Sequence, residues 1–150
     1  LWWVFGGAWA VLLLVLGVWS AMNSPATVRD QTTISSGKEK IETVVGEFRS
    51  ALPPAALFQD GGYHESTCRI TPMRDGTSAV RTLNVTGLNG AEAQTLRTIN
   101  ERFKGSSLQP GDGIPTGFYY DAGDFVLVRG EITDPGTLLV ELKTGCRAND

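Results

Sequence analysis

Residues 1–22 read LWWVFGGAWAVLLLVLGVWSAM, and no charged side chain occurs from Leu1 to Val28. A bilayer core of ~30 Å is crossed by about 20 apolar helical residues. In hydrocarbon a backbone must satisfy its own hydrogen bonds, so the run predicts a single transmembrane helix. The four tryptophans of the chain, Trp2, Trp3, Trp9 and Trp19, all lie in it. Trp3 to Trp19 spans roughly 24 Å of helix. That rise places amphipathic rings near both interfaces, as an aromatic belt requires. A cleaved signal peptide also has an apolar core followed by small residues, but this run is longer than such a core.

One face of the helix is built from small residues. Gly6, Ala10, Gly17 and Ala21 fall within about 60° of arc, with Leu13 beside them. Val4, Val11, Val15 and Val18 occupy the opposite side. Small residues let another membrane helix approach closely, so the Gly6–Ala21 stripe is the expected contact with a multispanning partner. The chain begins at Leu1 and not at Met, so a preceding segment is expected.

The organisation that follows is a transmembrane anchor (1–22), a linker (23–37) and one extracytoplasmic domain (38–150). The linker, NSPATVRDQTTISSG, is polar with no apolar period. Without the anchor roughly 125 residues remain, enough for one domain. The net charge is -3, which argues against a nucleic-acid partner or an anionic lipid surface. Cys68 and Cys146 are the two cysteines. An even, small number behind an anchor predicts one disulfide in an oxidising compartment, with the domain outside the cell membrane.

Within the domain, Ser36 and Glu39 have capping-box spacing. Ile41, Val44, Val45, Phe48 and Leu52 then form one apolar helical stripe, ended by Pro53-Pro54. Gly46 interrupts that helix with no evident reason beyond close packing. Residues 57–65 read as loop around Gly61-Gly62. STCRITPMR (66–74) and TSAVRTLNVT (77–86) flank Asp75-Gly76, favoured hairpin chemistry that would set Cys68 opposite Leu83. A second helix is expected over 90–104, capped by Asn89, with Leu96, Ile99 and Phe103 inward. Three strands follow, at 117–121, 124–133 and 137–144, with Asp134-Pro135-Gly136 turning the last pair. Leu138, Val140 and Leu142 alternate, and Cys146 continues their parity toward the core. The fold class is α+β: an anchor helix, then a small two-layer α-ββ-α-βββ domain with an antiparallel sheet.

Chemistry-bearing patterns are few. His64 is the sole histidine, so a His-dependent triad or His-ligated zinc site lacks its partners. Ser35 and Lys38 have Ser-x-x-Lys spacing, but Ser36 beside them suits a helix cap. Gly111, Gly113 and Gly117 lack phosphate-loop spacing. Asp112, Asp121 and Asp124 supply oxygens for a hard cation without EF-hand spacing, and turns use Asp commonly. No catalytic, cofactor-binding or metal-ligating set is expected.

TCRITPMRDG (67–76), DAGDFVLVRG (121–130) and TGCR (144–147) resemble segments of small single-pass actinobacterial envelope proteins, nearest in kind to an accessory subunit of the Mce-type lipid import complex. The resemblance covers most of the domain and implies a non-catalytic, membrane-anchored subunit of a larger envelope complex, with lipid transport as its candidate process. The alternative is an extracytoplasmic small-ligand-binding domain or a hydrolase, which would show a preformed pocket with convergent polar groups.

Overall fold

The computed structural model describes residues 2–23, 32–110 and 113–150, and in the first helix the side chains of 6–20 and 22. The element order is α1 (Trp2–Asn23), α2 (Ile34–Ala51), β1 (Leu57–Thr71), β2 (Arg74–Thr86), α3 (Glu92–Arg102), β3 (Ser107–Gln109), β4 (Gly117–Asp121), β5 (Val126–Asp134) and β6 (Thr137–Thr144). The six strands make one antiparallel sheet in the order β1-β2-β6-β5-β4-β3. Helices α2 and α3 cover one face of it. The domain is therefore the expected two-layer α+β fold, with one short strand more, β3, inside the expected 106–117 loop.

Period-2 and period-3.6 patterning place the core. Leu138, Val140 and Leu142 of β6 are fully buried while Leu139, Glu141 and Lys143 face out. Ile41, Val44, Val45 and Phe48 of α2 descend onto that inner face, and Leu96 and Ile99 of α3, with Phe103 just past its end, close it. The Phe48 ring stacks on Phe118 of β4 at 6.3 Å. Asp134 pairs with Thr137 around Pro135-Gly136, with Gly136 at φ 78°, the left-handed position such a turn demands.

The β1–β2 hairpin departs from expectation. Its turn is Pro72-Met73, not Asp75-Gly76, and Cys68 lies opposite Gly76, not Leu83. Proline presets the φ of a first turn position, which outcompetes Asp-Gly here. Residues 57–65 belong to β1. Gly61-Gly62 form a bulge between Asp60 and Tyr63, where the Asp60 Oδ1 accepts from the Gly62 amide at 2.9 Å. His64 is accordingly an exposed strand residue and not a loop residue.

Both helix starts also move. α2 begins at Ile34, inside the expected linker, so Ser36 is within the helix and no capping box forms. The Ile34 amide instead donates to the Ala148 carbonyl at 3.0 Å. α3 begins at Glu92, because Asn89 and Gly90 take left-handed backbone (φ 38° and 89°) and Asn89 cannot cap it. Gly46 is exposed with nothing near the place of its absent Cβ, so close packing does not explain it. The segment 24–31 of the expected linker lies outside the described residues.

Candidate functional site

Every described side chain of α1 is exposed. Nothing approaches the Cβ positions of Gly6 or Gly17, and Ala10 and Leu13 are open on the same stripe. The side chain of Ala21 lies outside the described residues, as do those of Trp2, Trp3 and Val4. Counted over the described residues alone, no helix is long and apolar enough to cross a membrane.

Where the chain enters the domain, four segments converge on Arg147. Its backbone pairs with Thr77 of β2 through both Thr77 N–H to Arg147 O (2.8 Å) and Arg147 N–H to Thr77 O (2.9 Å). That pairing directs the side chain under α2, where it is 0% exposed. Nη1 donates to the Thr32 hydroxyl at 2.7 Å and to its carbonyl at 3.4 Å, and Nη2 donates to the Asp124 carbonyl. Nε is buried without a hydrogen-bond partner. Burial pushes the Arg147 pKa down. Two glycines make room for this residue. A Cβ at Gly37 would lie 2.6 Å from Arg147 Nε, and one at Gly76 would collide with the Arg147 carbonyl. Gly76 is thus a packing residue, which explains its place outside the turn.

The neighbouring residues extend the same strap. Thr77 Oγ1 donates to Asn149 Oδ1 at 2.7 Å, and Ser35 Oγ donates to the Asp150 carboxylate. The Ser35 hydroxyl holds Asp150 below the usual carboxylate range. The strap is pinned covalently: Cys68 and Cys146 are bridged, with Cα atoms 5.9 Å apart. The disulfide is half-buried at the end of the sheet, not in the apolar core that its parity suggested.

A second polar cluster lies between α2 and the hairpin. Arg81 of β2, 9% exposed, donates to both carboxylate oxygens of Asp60, to Glu42 of α2 and to the Tyr63 hydroxyl. Tyr63 in turn donates to Glu42 at 3.0 Å, and the Arg81 guanidinium lies 5.0 Å from its ring centroid. Hydrogen bonds from Arg81 hold Glu42 and Asp60 below their ordinary range. The same two carboxylates, Asp60 first, hold the Arg81 pKa above its own. Desolvation raises Tyr63. Lys38 continues the cluster through Glu65.

These contacts account for the other candidates of the sequence. Ser35 is engaged with Asp150 and Lys38 with Glu65, so the Ser-x-x-Lys pair is not assembled. Asp121 accepts from the Gly123 amide, a local turn contact. Asp124 lies 3.9 Å from Lys40, and its carbonyl serves Arg147. Gly111 and Asp112 lie outside the described residues. Among the described residues no three His, Cys, Asp or Glu side chains gather as a metal site. The sheet's end carries a shallow cavity of about 440 Å³ lined by Thr67, Cys68, Arg69 and Asp75. Sequence reading missed Arg81 and Arg147. The one signal for the second was the repeated Cys-Arg pair at 68–69 and 146–147. No protein-family model, curated protein or solved structure matches the chain.

Proposed function

We propose that the protein is a membrane-anchored, non-catalytic accessory subunit of a larger cell-envelope membrane complex, with lipid transport as the process and the Mce-type importers as the nearest kind. The observation that carries this reading is α1 itself. It is 22 residues long, has no charged residue, and its described side chains are exposed. A helix apolar all round requires lipid or protein around it, and 22 helical residues rise about 33 Å. The disulfide supports an oxidising compartment, hence a domain outside the membrane. The domain's two arginine clusters are occupied with holding its own segments together, which favours a structural role over turnover.

The stripe of Gly6, Ala10 and Gly17 is the face that meets the multispanning partner, because close backbone approach is what drives helix association in lipid. The test is paired substitution in the full chain. Gly6→Ile with Gly17→Ile should release the partner during mild-detergent co-purification followed by mass spectrometry. Val11→Ala with Val15→Ala should retain it. Equal retention by both pairs would mean that the helix is a tether and that no partner packs on this stripe.

A further inference from the structure

The N-terminus of α2, the β4–β5 turn, the β1–β2 turn and the strap at 146–150 all lie at one end of the sheet. Val126 pairs with Thr144, Thr77 pairs with Arg147, and the Phe125 carbonyl accepts from Gly145 at 2.8 Å. Thr32, through which the chain enters, shares the Arg147 guanidinium with Asp124. Nine residue steps separate Thr32 from Asn23 at the end of α1, so the chain between them reaches at most ~32 Å. The opposite end of the sheet, with Leu57 and Ile114, lies farther off by the length of the strands.

The near end presents two large apolar side chains, Phe125 (51% exposed) and Met73 (68%), each at the tip of a turn. Leu127 carries the apolar surface from Phe125 onto the open face of the sheet. Phe125 stands at φ 57° and follows Asp124 at φ 51°. Left-handed backbone is costly for a bulky residue, and such outliers mark functional sites. A glycine would hold that turn without strain, yet the residue there is an exposed phenylalanine. The charges at this end, Arg69, Arg74 and Lys40 with Asp75, Asp121, Asp124 and Asp150, are of mixed sign with no cationic excess. Apolar insertion and not attraction to anionic lipid is therefore the driving contact.

We infer that this end of the domain docks on the bilayer surface, with Phe125 and Met73 inserted at the level of the headgroups. The inference rests on α1 being a membrane anchor. A domain held this way has a fixed height and orientation above the bilayer.

The experiment is lipid photocrosslinking of the full chain in nanodiscs of phosphatidylcholine doped with a diazirine-bearing phosphatidylcholine, followed by peptide mapping. Adducts are expected on α1 and on the peptides carrying Phe125 and Met73, with those carrying Leu57 and Ile114 spared. Phe125→Ser with Met73→Ser should reduce the domain adducts about tenfold or more and leave the α1 adducts unchanged. Adducts on α1 alone would overturn the docking and leave the anchor standing. Adducts centred on Leu57 and Ile114, or domain adducts that survive the double substitution, would also overturn it. Absence of adducts on α1 would remove the anchor and the docking together.

Discussion

Arg81 and Arg147 are both buried, and the protein treats them in opposite ways. Arg81 sits between two carboxylates and a phenol, so its charge is balanced where it lies. Arg147 has carbonyl and hydroxyl acceptors, one unpartnered nitrogen, and the charge of Lys40-bound Asp124 acting on it without a salt bridge. Breaking a buried charge pair by removing one partner costs more than replacing an uncompensated charge by an apolar chain of similar length. The first arginine therefore contributes chiefly to stability. The second, desolvated and poorly balanced, is kept for what it connects: the entering chain at Thr32, the β4–β5 turn and the strap.

That contrast can be broken from its strongest side first. Replacing both Cys68 and Cys146 by Ser opens a closed loop with a sequence separation of 78. Chain entropy then predicts a loss of about 4.5 kcal/mol, read as urea unfolding of the full chain in mild detergent. Protection of the strap amides should fall in the same variant, because Arg147 adjoins the bridge.

Arg81→Met should cost about 2 kcal/mol, since it leaves Glu42 and Asp60 without their charged donor, though both retain access to water. Its acid dependence is the sharper test. Glu42 and Asp60 are held below their ordinary values of 4.5 and 3.8. Their contribution is complete above those values and is lost as pH falls through the lower folded-state values. Midpoint temperatures of the natural chain should thus drop on acidification below that range, and the Arg81→Met chain should drop less. Parallel acid profiles would mean that Arg81 does not govern the two carboxylates.

Within α2 the two glycines should respond with opposite signs. Gly37→Ala forces a Cβ onto a buried guanidinium and should destabilise by about 1–2 kcal/mol. In an Arg147→Met background that penalty should disappear. Arg147→Met by itself should cost only about 1 kcal/mol while loosening amide protection around Ile34. Gly46→Ala meets nothing and should stabilise by about 0.5–1 kcal/mol through helix propensity alone. Thermal melts of the four chains would check these signs, and a destabilised Gly46→Ala chain would show that α2 is covered there in the folded protein.

The parts of this fold that were legible in the sequence are those where local chemistry and burial agree. β6 was read at its observed limits because Leu138, Val140 and Leu142 alternate and Pro135-Gly136 admits one turn. The apolar stripe of α2 was equally plain. The hairpin misled because its glycines serve other ends: Gly61-Gly62 make a bulge, and Gly76 clears space for a residue seventy-one positions away. No local pattern reports such a contact. The disulfide was legible from cysteine count, but the Arg147 junction was not. Its acceptors are backbone carbonyls and a threonine hydroxyl, groups that every sequence has. The Arg81 cluster escaped for a related reason: Glu42, Asp60 and Tyr63 come together only once the β1 bulge has set its register.

Service in a membrane complex requires α1 to lie in a bilayer. Alkaline carbonate extraction of membranes from cells expressing the full chain tests this directly, since a spanning helix resists conditions that strip peripheral proteins. The chain should remain in the membrane pellet with its disulfide intact. Quantitative release into the supernatant would contradict the anchor, and with it the proposal that this domain serves a membrane complex.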